Sequence, residues 1–178
     1  MAYYKSRGLR GSFLEEMINF TNDKYRAGGL ALVQKIPTPI KPIEIDDNRH
    51  ITLAYFEKKS TVDYIGVVQG IPVCFDAKEV SGETFALSNV HEHQFEFMSE
   101  YEKMGGVSFL IIYFKEKSQC FYLRFERLKY FMERAKNGGR KSIRYDEFDK
   151  KWMISEYNGV TIHYLEMLNN DLVIRDNE

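Results

Sequence analysis

Two carboxylates and a lysine stand out by their spacing: Asp63 is followed, after twelve intervening residues, by Asp76-Ala77-Lys78. Paired carboxylates can bind a hard divalent cation such as Mg²⁺, which prefers oxygen ligands. Such a cation can activate water and stabilise charge during phosphodiester hydrolysis, and a lysine beside it can balance charge in the transition state. The spacing alone is a weak signal, because chance also places acids and lysines at strand ends.

The residues around these side chains predict a β-hairpin that would bring them together. Two apolar runs rich in β-branched residues flank a turn at Gln69-Gly70. Antiparallel pairing would place Asp63, near the start of the first strand, beside Asp76, near the end of the second. Because side chains alternate along a strand, Asp76 and Lys78 would point to the same face.

The remaining periodicity predicts helices on both sides of a sheet. Ser12-Phe13-Leu14-Glu15 is a capping-box pattern that opens a helix, and Gly28-Gly29 ends it. The run 107–114 is apolar throughout, which is typical of a central strand, and 119–125 should pair with it. Further helices are predicted around residues 128–135 and 162–172. Residues 140–144 are predicted to form a loop that could hold phosphates.

A second hairpin is predicted where prolines exclude a helix or a central strand. Pro37, Pro39 and Pro42 precede two short alternating runs joined by a polar turn at 46–49. Such a hairpin would protrude from the body of the protein. An ordinary surface β-arm is the simplest structural interpretation.

Length and charge set broad limits. With 178 residues, 44% of them hydrophobic, the chain can bury one core, so a single domain over 1–178 is expected. A net charge of −1 is unusual for a nucleic-acid binder, because phosphate affinity comes from clustered Lys and Arg. Clusters do occur at the amino end and near residue 139, although solvated surface is the alternative explanation for both. Their members are Lys5, Arg7, Arg10, Arg134, Lys136, Arg140, Lys141 and Arg144.

Cysteine and histidine give no sign of a structural metal. Cys74 and Cys120 lie in apolar runs and are expected to be packed thiols. His91 and His93 are two residues apart, and side chains at that spacing on a helix do not face each other, so a zinc pair is not expected. Without a signal pattern or a membrane-length apolar run, a cytoplasmic protein is predicted.

Several short motifs carry a resemblance to a known family, in conserved order and with similar spacing. They are Leu14-Glu15, Asn19-x-Thr21-Asn22-x-x-Tyr25, Pro37-Thr38-Pro39, Ala54-Tyr55-Phe56, Ser60-Thr61-x-Asp63-Tyr64-x-Gly66, Phe75-x-Ala77-Lys78-Glu79, His91-x-His93-Gln94 and Gly139-Arg140-Lys141-Ser142-Ile143. Over residues 11–164 the chain resembles the RecU family of Holliday-junction resolvases, which are dimeric bacterial endonucleases of the PD-(D/E)xK superfamily.

The resemblance implies a fold and a function. The fold is α/β: a restriction-endonuclease-like mixed β-sheet flanked by helices, with a protruding hairpin stalk at about 36–56 and a flexible basic arm at about 1–11. The function is Mg²⁺-dependent paired nicking of four-way DNA junctions in recombination and repair. The implied partners are branched DNA, a second copy of the chain, and a recombinase or branch-migration helicase.

The resemblance also implies site residues. Metal ligands would be Thr61, Asp63, Asp76 and Gln94. Lys78 would stabilise the transition state, and Glu15 would lie close to the metal besides capping its helix. DNA contacts are predicted for Arg7, Arg10, Lys35, Lys58, Lys59, Arg140, Lys141 and Arg144.

Two departures from the family pattern leave the metal coordination open. Asp76 stands where the family more often has glutamate, and Val62 stands where proline would precede Asp63. The shorter carboxylate could favour Mn²⁺. Two other functions therefore stay open: a related nuclease acting on other branched DNA, and a non-catalytic module that binds or bridges DNA.

Overall fold

The structure is a computed structural model that describes residues 12–56 and 61–177. Its helices are α1 (Phe13–Ala27), α2 (Glu92–Lys103), α3 (Phe125–Lys136) and α4 (Tyr164–Arg175). Its strands are β1 (Ala31–Lys35), β2 (Ile40–Ile45), β3 (Ile51–Phe56), β4 (Tyr64–Val68), β5 (Ile71–Val80), β6 (Thr84–Ala86), β7 (Val107–Phe114), β8 (Gln119–Arg124), β9 (Ser142–Arg144) and β10 (Met153–Ile154). The predicted basic arm at 1–11, with Arg7 and Arg10, lies outside the described residues, as do Lys58 and Lys59.

The main sheet has six strands in the order β1-β4-β5-β7-β8-β10 and is mixed. Strands β5 and β7 are parallel, and the other described pairs are antiparallel. The crossover between β5 and β7 contains α2, as a parallel connection requires. The predicted central strand is confirmed, because β7 has neighbours on both sides and is buried along nearly its whole length.

Helices cover both faces of this sheet, which confirms the predicted mixed α/β class. Side chains alternate along β7. Phe109 and Ile111 join the core beneath α1 and α4, whereas Leu110 and Ile112 join the core beneath α2 and α3. None of the described helices combines the length and the apolar character needed to cross a membrane.

The second predicted hairpin is confirmed as a separate two-stranded sheet of β2 and β3. Its register pairs Ile40 with Phe56 and Ile45 with Ile51, with irregularities between. Every residue of β2 is exposed, and so is every residue of β3 except the half-exposed Ala54. Pro42 is tolerated in β2 because this strand has a partner on one side only.

Three local predictions were wrong. Strand β5 continues to Val80, so Asp76 lies in its middle rather than near its end. Residues 142–144 form strand β9, which pairs with β6 instead of forming an open loop. The side chains of His91 and His93 were expected to point apart, but they stack, with ring centroids 5.5 Å apart. His91 is the N-cap of α2 and has an extended backbone, so helical spacing does not apply to it.

A buried ion network joins α4 to the sheet and to α2. Asp171 is 0% exposed and accepts hydrogen bonds from the Tyr122 hydroxyl (2.9 Å), Arg124 Nε (2.6 Å) and Arg175 Nε (2.9 Å). The Arg175 guanidinium also donates to both carboxylate oxygens of Glu102 on α2, at 2.6 and 3.0 Å. The network therefore links helices that lie on opposite faces of the sheet.

Asp171→Ala should lower the free energy of unfolding by about 3–5 kcal/mol, because removing one member of a buried ion network leaves charge uncompensated. Chemical denaturation of the purified protein measures this. Asp176→Asn, at an exposed position just beyond α4, is the control and should change little. A loss for Asp171→Ala as small as the control's would contradict the prediction.

Candidate active site

Asp63 and Asp76 are held side by side by the backbone of the first hairpin. Asp63 directly precedes β4, and the β4–β5 register pairs Tyr64 with Phe75. The Asp63 backbone N–H donates to Asp76 Oδ1 at 2.7 Å, and the Ala77 N–H donates to Asp63 Oδ2 at 2.9 Å. These reciprocal hydrogen bonds orient both carboxylates, so the predicted convergence of the two acids is confirmed.

Lys78 points to the same face of β5 as Asp76, as the alternation of the strand predicts. Its Nζ lies 3.0 Å from Asp76 Oδ2, and the Asp76 side chain is 0% exposed. This contact is an ion pair without hydrogen-bond geometry. Asp76 Oδ2 is buried and accepts no hydrogen bond from any described residue. A buried carboxylate oxygen in this condition is suited to a cation.

Asp63 and Lys78 line a cleft of about 410 Å³ where α1 and α2 both begin, and Asp76 is buried beside them. Free backbone N–H groups at a helix start favour anions such as phosphate. The cleft therefore combines carboxylates for a cation with a lysine and the start of α2 for an anion, whereas the N–H groups of Leu14 and Glu15 at the start of α1 already have partners. Its lining is Ser12, Glu15, Asp63, Ala77, Lys78, Glu79, Asn89 and His91.

Glu15 lies in this cleft and also caps α1. Its Oε2 accepts from the Ser12 N–H at 3.0 Å, and the Ser12 Oγ accepts from the Glu15 N–H at 3.2 Å, which confirms the capping box. Lys35 Nζ lies 2.9 Å from the same Oε2. Glu15 therefore caps α1 and lies in the same cleft as Asp63, so the two predictions for this residue are compatible.

Glu79 is a cleft residue to which the sequence assigned no role. Its Oε1 accepts from the Leu14 N–H of α1 at 2.9 Å, and its Oε2 lies 3.4 Å from Lys115 Nζ. Glu79 follows Lys78 in a family motif, which was the only sequence signal that could have indicated its position in the cleft. Asn89 and His91 were also missed as cleft residues, since their place depends on where α2 starts.

The pKa of Asp63 is raised to about 6, chiefly by burial and then by the negative charge of Asp76, with a smaller rise from Glu15; the Ala77 N–H and Lys78 lower it in part. Two carboxylates at such short range repel each other when both are ionised. A bound cation would relieve that repulsion.

Thr61 and Gln94 do not line the cleft, so their role as metal ligands stays a prediction. Gln94 is buried in the first turn of α2, and its Oε1 accepts from the His91 N–H at 3.1 Å. In the described part of the chain, no three His, Cys, Asp or Glu side chains converge to hold a metal. A cation bound by Asp63 and Asp76 would complete its shell with water and substrate oxygens, which suits Mg²⁺.

Comparison with known proteins identifies the family. Residues 9–170 match the RecU family model, described as Recombination protein U. The chain belongs to the RecU family. It is 43% identical over 155 residues to a Holliday junction resolvase RecU of Pediococcus pentosaceus, covering 84% of this chain and 77% of that protein. It is 38% identical over 171 residues to the resolvase of the same name from Leuconostoc mesenteroides, covering 93% and 83%.

A solved structure of the Holliday junction resolvase Hjc from Archaeoglobus fulgidus also aligns with this RecU chain. The TM-score is 0.46 at 8% identity, over 78% of this chain and 91% of the other.

Of the described DNA-binding candidates of this RecU chain, Lys35 lies next to the cleft and Lys141 contacts the segment that leads into it. Lys35 borders the cleft through Glu15. The Lys141 carbonyl accepts from the Leu87 N–H at 3.1 Å. Leu87 precedes the cleft residue Asn89 by two positions in the chain. Arg140 lies 3.9 Å from Glu147, and Arg144 pairs with Asp146. Their contacts with DNA stay predictions.

Proposed function

We propose that this RecU-family protein is a metal-dependent endodeoxyribonuclease that resolves four-way (Holliday) DNA junctions in recombination and repair. The observation that carries the proposal is the convergence of Asp63 and Lys78, which line one cleft, with Asp76, which is buried against both of them. It occurs in a chain 43% identical to a protein named Holliday junction resolvase RecU.

The chemistry follows from the positions of these side chains. Mg²⁺ held by Asp63 and Asp76, or Mn²⁺ in its place, would supply Lewis-acid stabilisation and a water of lowered pKa. Lys78, 3.0 Å from Asp76, would balance the negative charge that grows on the phosphorus oxygens in the transition state. The start of α2 would orient the scissile phosphate towards these groups.

A two-fold dimer would explain paired cuts. A four-way junction has near two-fold symmetry, and a dimer with the same symmetry presents two identical active sites. Recognition would depend on phosphates and junction shape rather than on base edges. We propose one nuclease domain per protomer, with the β2–β3 hairpin as a stalk.

The raised pKa of Asp63 makes cation binding dependent on pH. Because its folded pKa of about 6 is above its unfolded value, protonated Asp63 stabilises the metal-free fold. That contribution is complete below the unfolded pKa and is lost as pH rises through about 6. A cation needs the carboxylate, so Mg²⁺ or Mn²⁺ should raise the melting temperature clearly at pH 8 and little at pH 5.

Thermal melts with and without cation at both pH values measure this effect, and calorimetry in two buffers counts the released protons. The Asp63→Asn variant is the control, and its response to cation should be weak at both pH values. Equal stabilisation of the wild type at pH 5 and pH 8 would contradict the assigned role of Asp63.

The proposed function is tested with a synthetic mobile four-way junction and Mg²⁺, beside a linear duplex, a flap and the Asp63→Asn variant. Paired symmetric nicks confined to the junction and absent with the variant are the expected result. Cleavage of the flap or duplex in preference would point to a related nuclease. Junction binding without scission in Mg²⁺ or Mn²⁺ would point to a non-catalytic module.

A further inference from the structure

A polar groove of about 260 Å³ runs between α1 and β1, next to the catalytic cleft. Strand β1 is the outer strand of the main sheet, so one backbone edge faces away from the other strands. Lys35 lines the groove and pairs with Glu15 of the cleft at 2.9 Å, so the two sites are continuous. The groove is lined by Asn19, Asn22, Asp23, Arg26, Leu32, Val33, Gln34 and Lys35.

The two asparagines are oriented by buried tyrosines. The Tyr64 hydroxyl donates to Asn19 Oδ1 at 3.1 Å, and the Tyr164 hydroxyl donates to Asn22 Oδ1 at 2.6 Å. Each amide oxygen is therefore engaged on the protein side, which leaves the NH₂ groups as donors. Asn22 is only 5% exposed, and its Nδ2 has no hydrogen-bond partner among the described residues.

The polar residues of α1 form one stripe that leads away from the cleft. Glu15, Asn19, Asn22 and Arg26 are spaced four, three and four residues apart, which places them on one helix face. At 1.5 Å per residue the stripe is about 16 Å long, which is enough to follow several nucleotides of a DNA strand. This accounts for the motif Asn19-x-Thr21-Asn22-x-x-Tyr25, which the metal site does not use. Thr21, Asn22 and Tyr25 of this motif are buried.

The charge of the groove favours an anionic chain. Arg26 and Lys35 are cationic, although Lys35 is also paired with Glu15 of the cleft, and Asp23 is the one carboxylate in the lining. Amide NH₂ groups, a guanidinium and an ammonium are the donors that phosphate oxygens accept. An extended peptide paired with the β1 edge is the other occupant that this geometry allows. A peptide would not need a groove that continues into the cleft, whereas a DNA strand cut in the cleft would.

We infer that the α1–β1 groove binds the phosphodiester backbone beside the scissile phosphate and sets the register of the cut strand. The inference rests on the proposed function and names a DNA subsite for it. Asn19, Arg26 and Lys35 would donate to successive phosphate oxygens, and the buried Asn22 would support the floor of the groove. Asp23 would limit the affinity by repulsion.

Arg26→Gln tests this in the Asp63→Asn background, with four-way junction binding followed by fluorescence anisotropy. Arg26 is exposed, so the fold should tolerate the change. The Kd should rise about three- to tenfold, and the slope of log K against log salt between about 50 and 200 mM NaCl should fall by about one, as for the loss of one phosphate contact. Asp23→Asn should lower the Kd.

Lys129→Gln, which removes one exposed charge from α3 on the other side of the sheet, is the matched control and should leave the Kd and slope nearly unchanged. A neutral methylphosphonate placed at each phosphate beside the cut locates the contact. At one position the methylphosphonate should raise the Kd of the protein that has Arg26. At the same position it should leave the Kd of the Arg26→Gln protein unchanged.

Two outcomes would overturn the inference, and they differ in meaning. If the Asp63→Asn protein binds the junction but Arg26→Gln and Asp23→Asn change neither Kd nor slope, the groove holds water or a peptide and the proposed function stands. If the Asp63→Asn protein does not bind the junction and the wild type does not cleave it, both the groove and the proposed function are wrong.

Discussion

Asp63→Asn is expected to slow junction cleavage by about a thousandfold or more, because metal assistance contributes several kcal/mol and each 1.4 kcal/mol is about tenfold in rate. The asparagine keeps an oxygen to accept the Ala77 N–H, so the hairpin should fold normally. Junction affinity should stay equal or become tighter, since one negative charge beside Asp76 and Glu15 is removed.

Single-turnover cleavage and anisotropy on the same junction separate these two effects. Asp176→Asn removes an exposed carboxylate after α4 and should match the wild type in both measurements. If Asp63→Asn lost binding in proportion to cleavage, Asp63 would be a structural or DNA-binding residue, and its place in the metal site would be wrong.

Lys78→Ala is expected to affect both stability and catalysis. Asp76 is fully buried and Lys78 is its ion-pair partner at 3.0 Å, so the metal-free protein should lose about 3 kcal/mol of unfolding free energy. Cleavage should fall by about 10²–10³-fold, the size expected for one electrostatic stabiliser. Mg²⁺ should restore part of the stability, because it can replace the lost positive charge, but it should not restore cleavage.

Chemical denaturation with and without Mg²⁺ checks the first part, and single-turnover cleavage at saturating junction checks the second. Lys129→Ala, at an exposed position on α3, is the control and should be nearly neutral in both. Full stability of metal-free Lys78→Ala would mean that Asp76 finds another partner. Full cleavage activity would remove Lys78 from the mechanism.

The elements that hold the site were predictable because their signals are local. Ser12 and Glu15 specify the start of α1 through a capping box that needs only four residues. The turn at Gln69-Gly70, between two β-branched runs, specifies the β4–β5 hairpin. Alternation along β5 then places Asp76 and Lys78 on one face, and the structure confirms this.

Contacts between distant segments were not predictable in the same way. Glu79 accepts from Leu14, 65 residues earlier in the chain, only because α1 packs across β5. The segment 142–144 was predicted to be a loop, but it forms a strand because β6 provides a pairing partner. A local contact was missed as well: Gln94 was assigned to the metal by resemblance, and its Oε1 accepts from the His91 N–H, three residues earlier, at the start of α2.

The sequence by itself therefore determined the family, the order of the elements and the pair of acids with their lysine, because caps, turns and alternation act over a few residues. The tertiary structure decided which other groups join them. Tyr64 and Tyr164 come from distant parts of the chain, yet they orient Asn19 and Asn22. Such partners are chosen by the packing of helices on the sheet, which depends on side chains far apart in sequence.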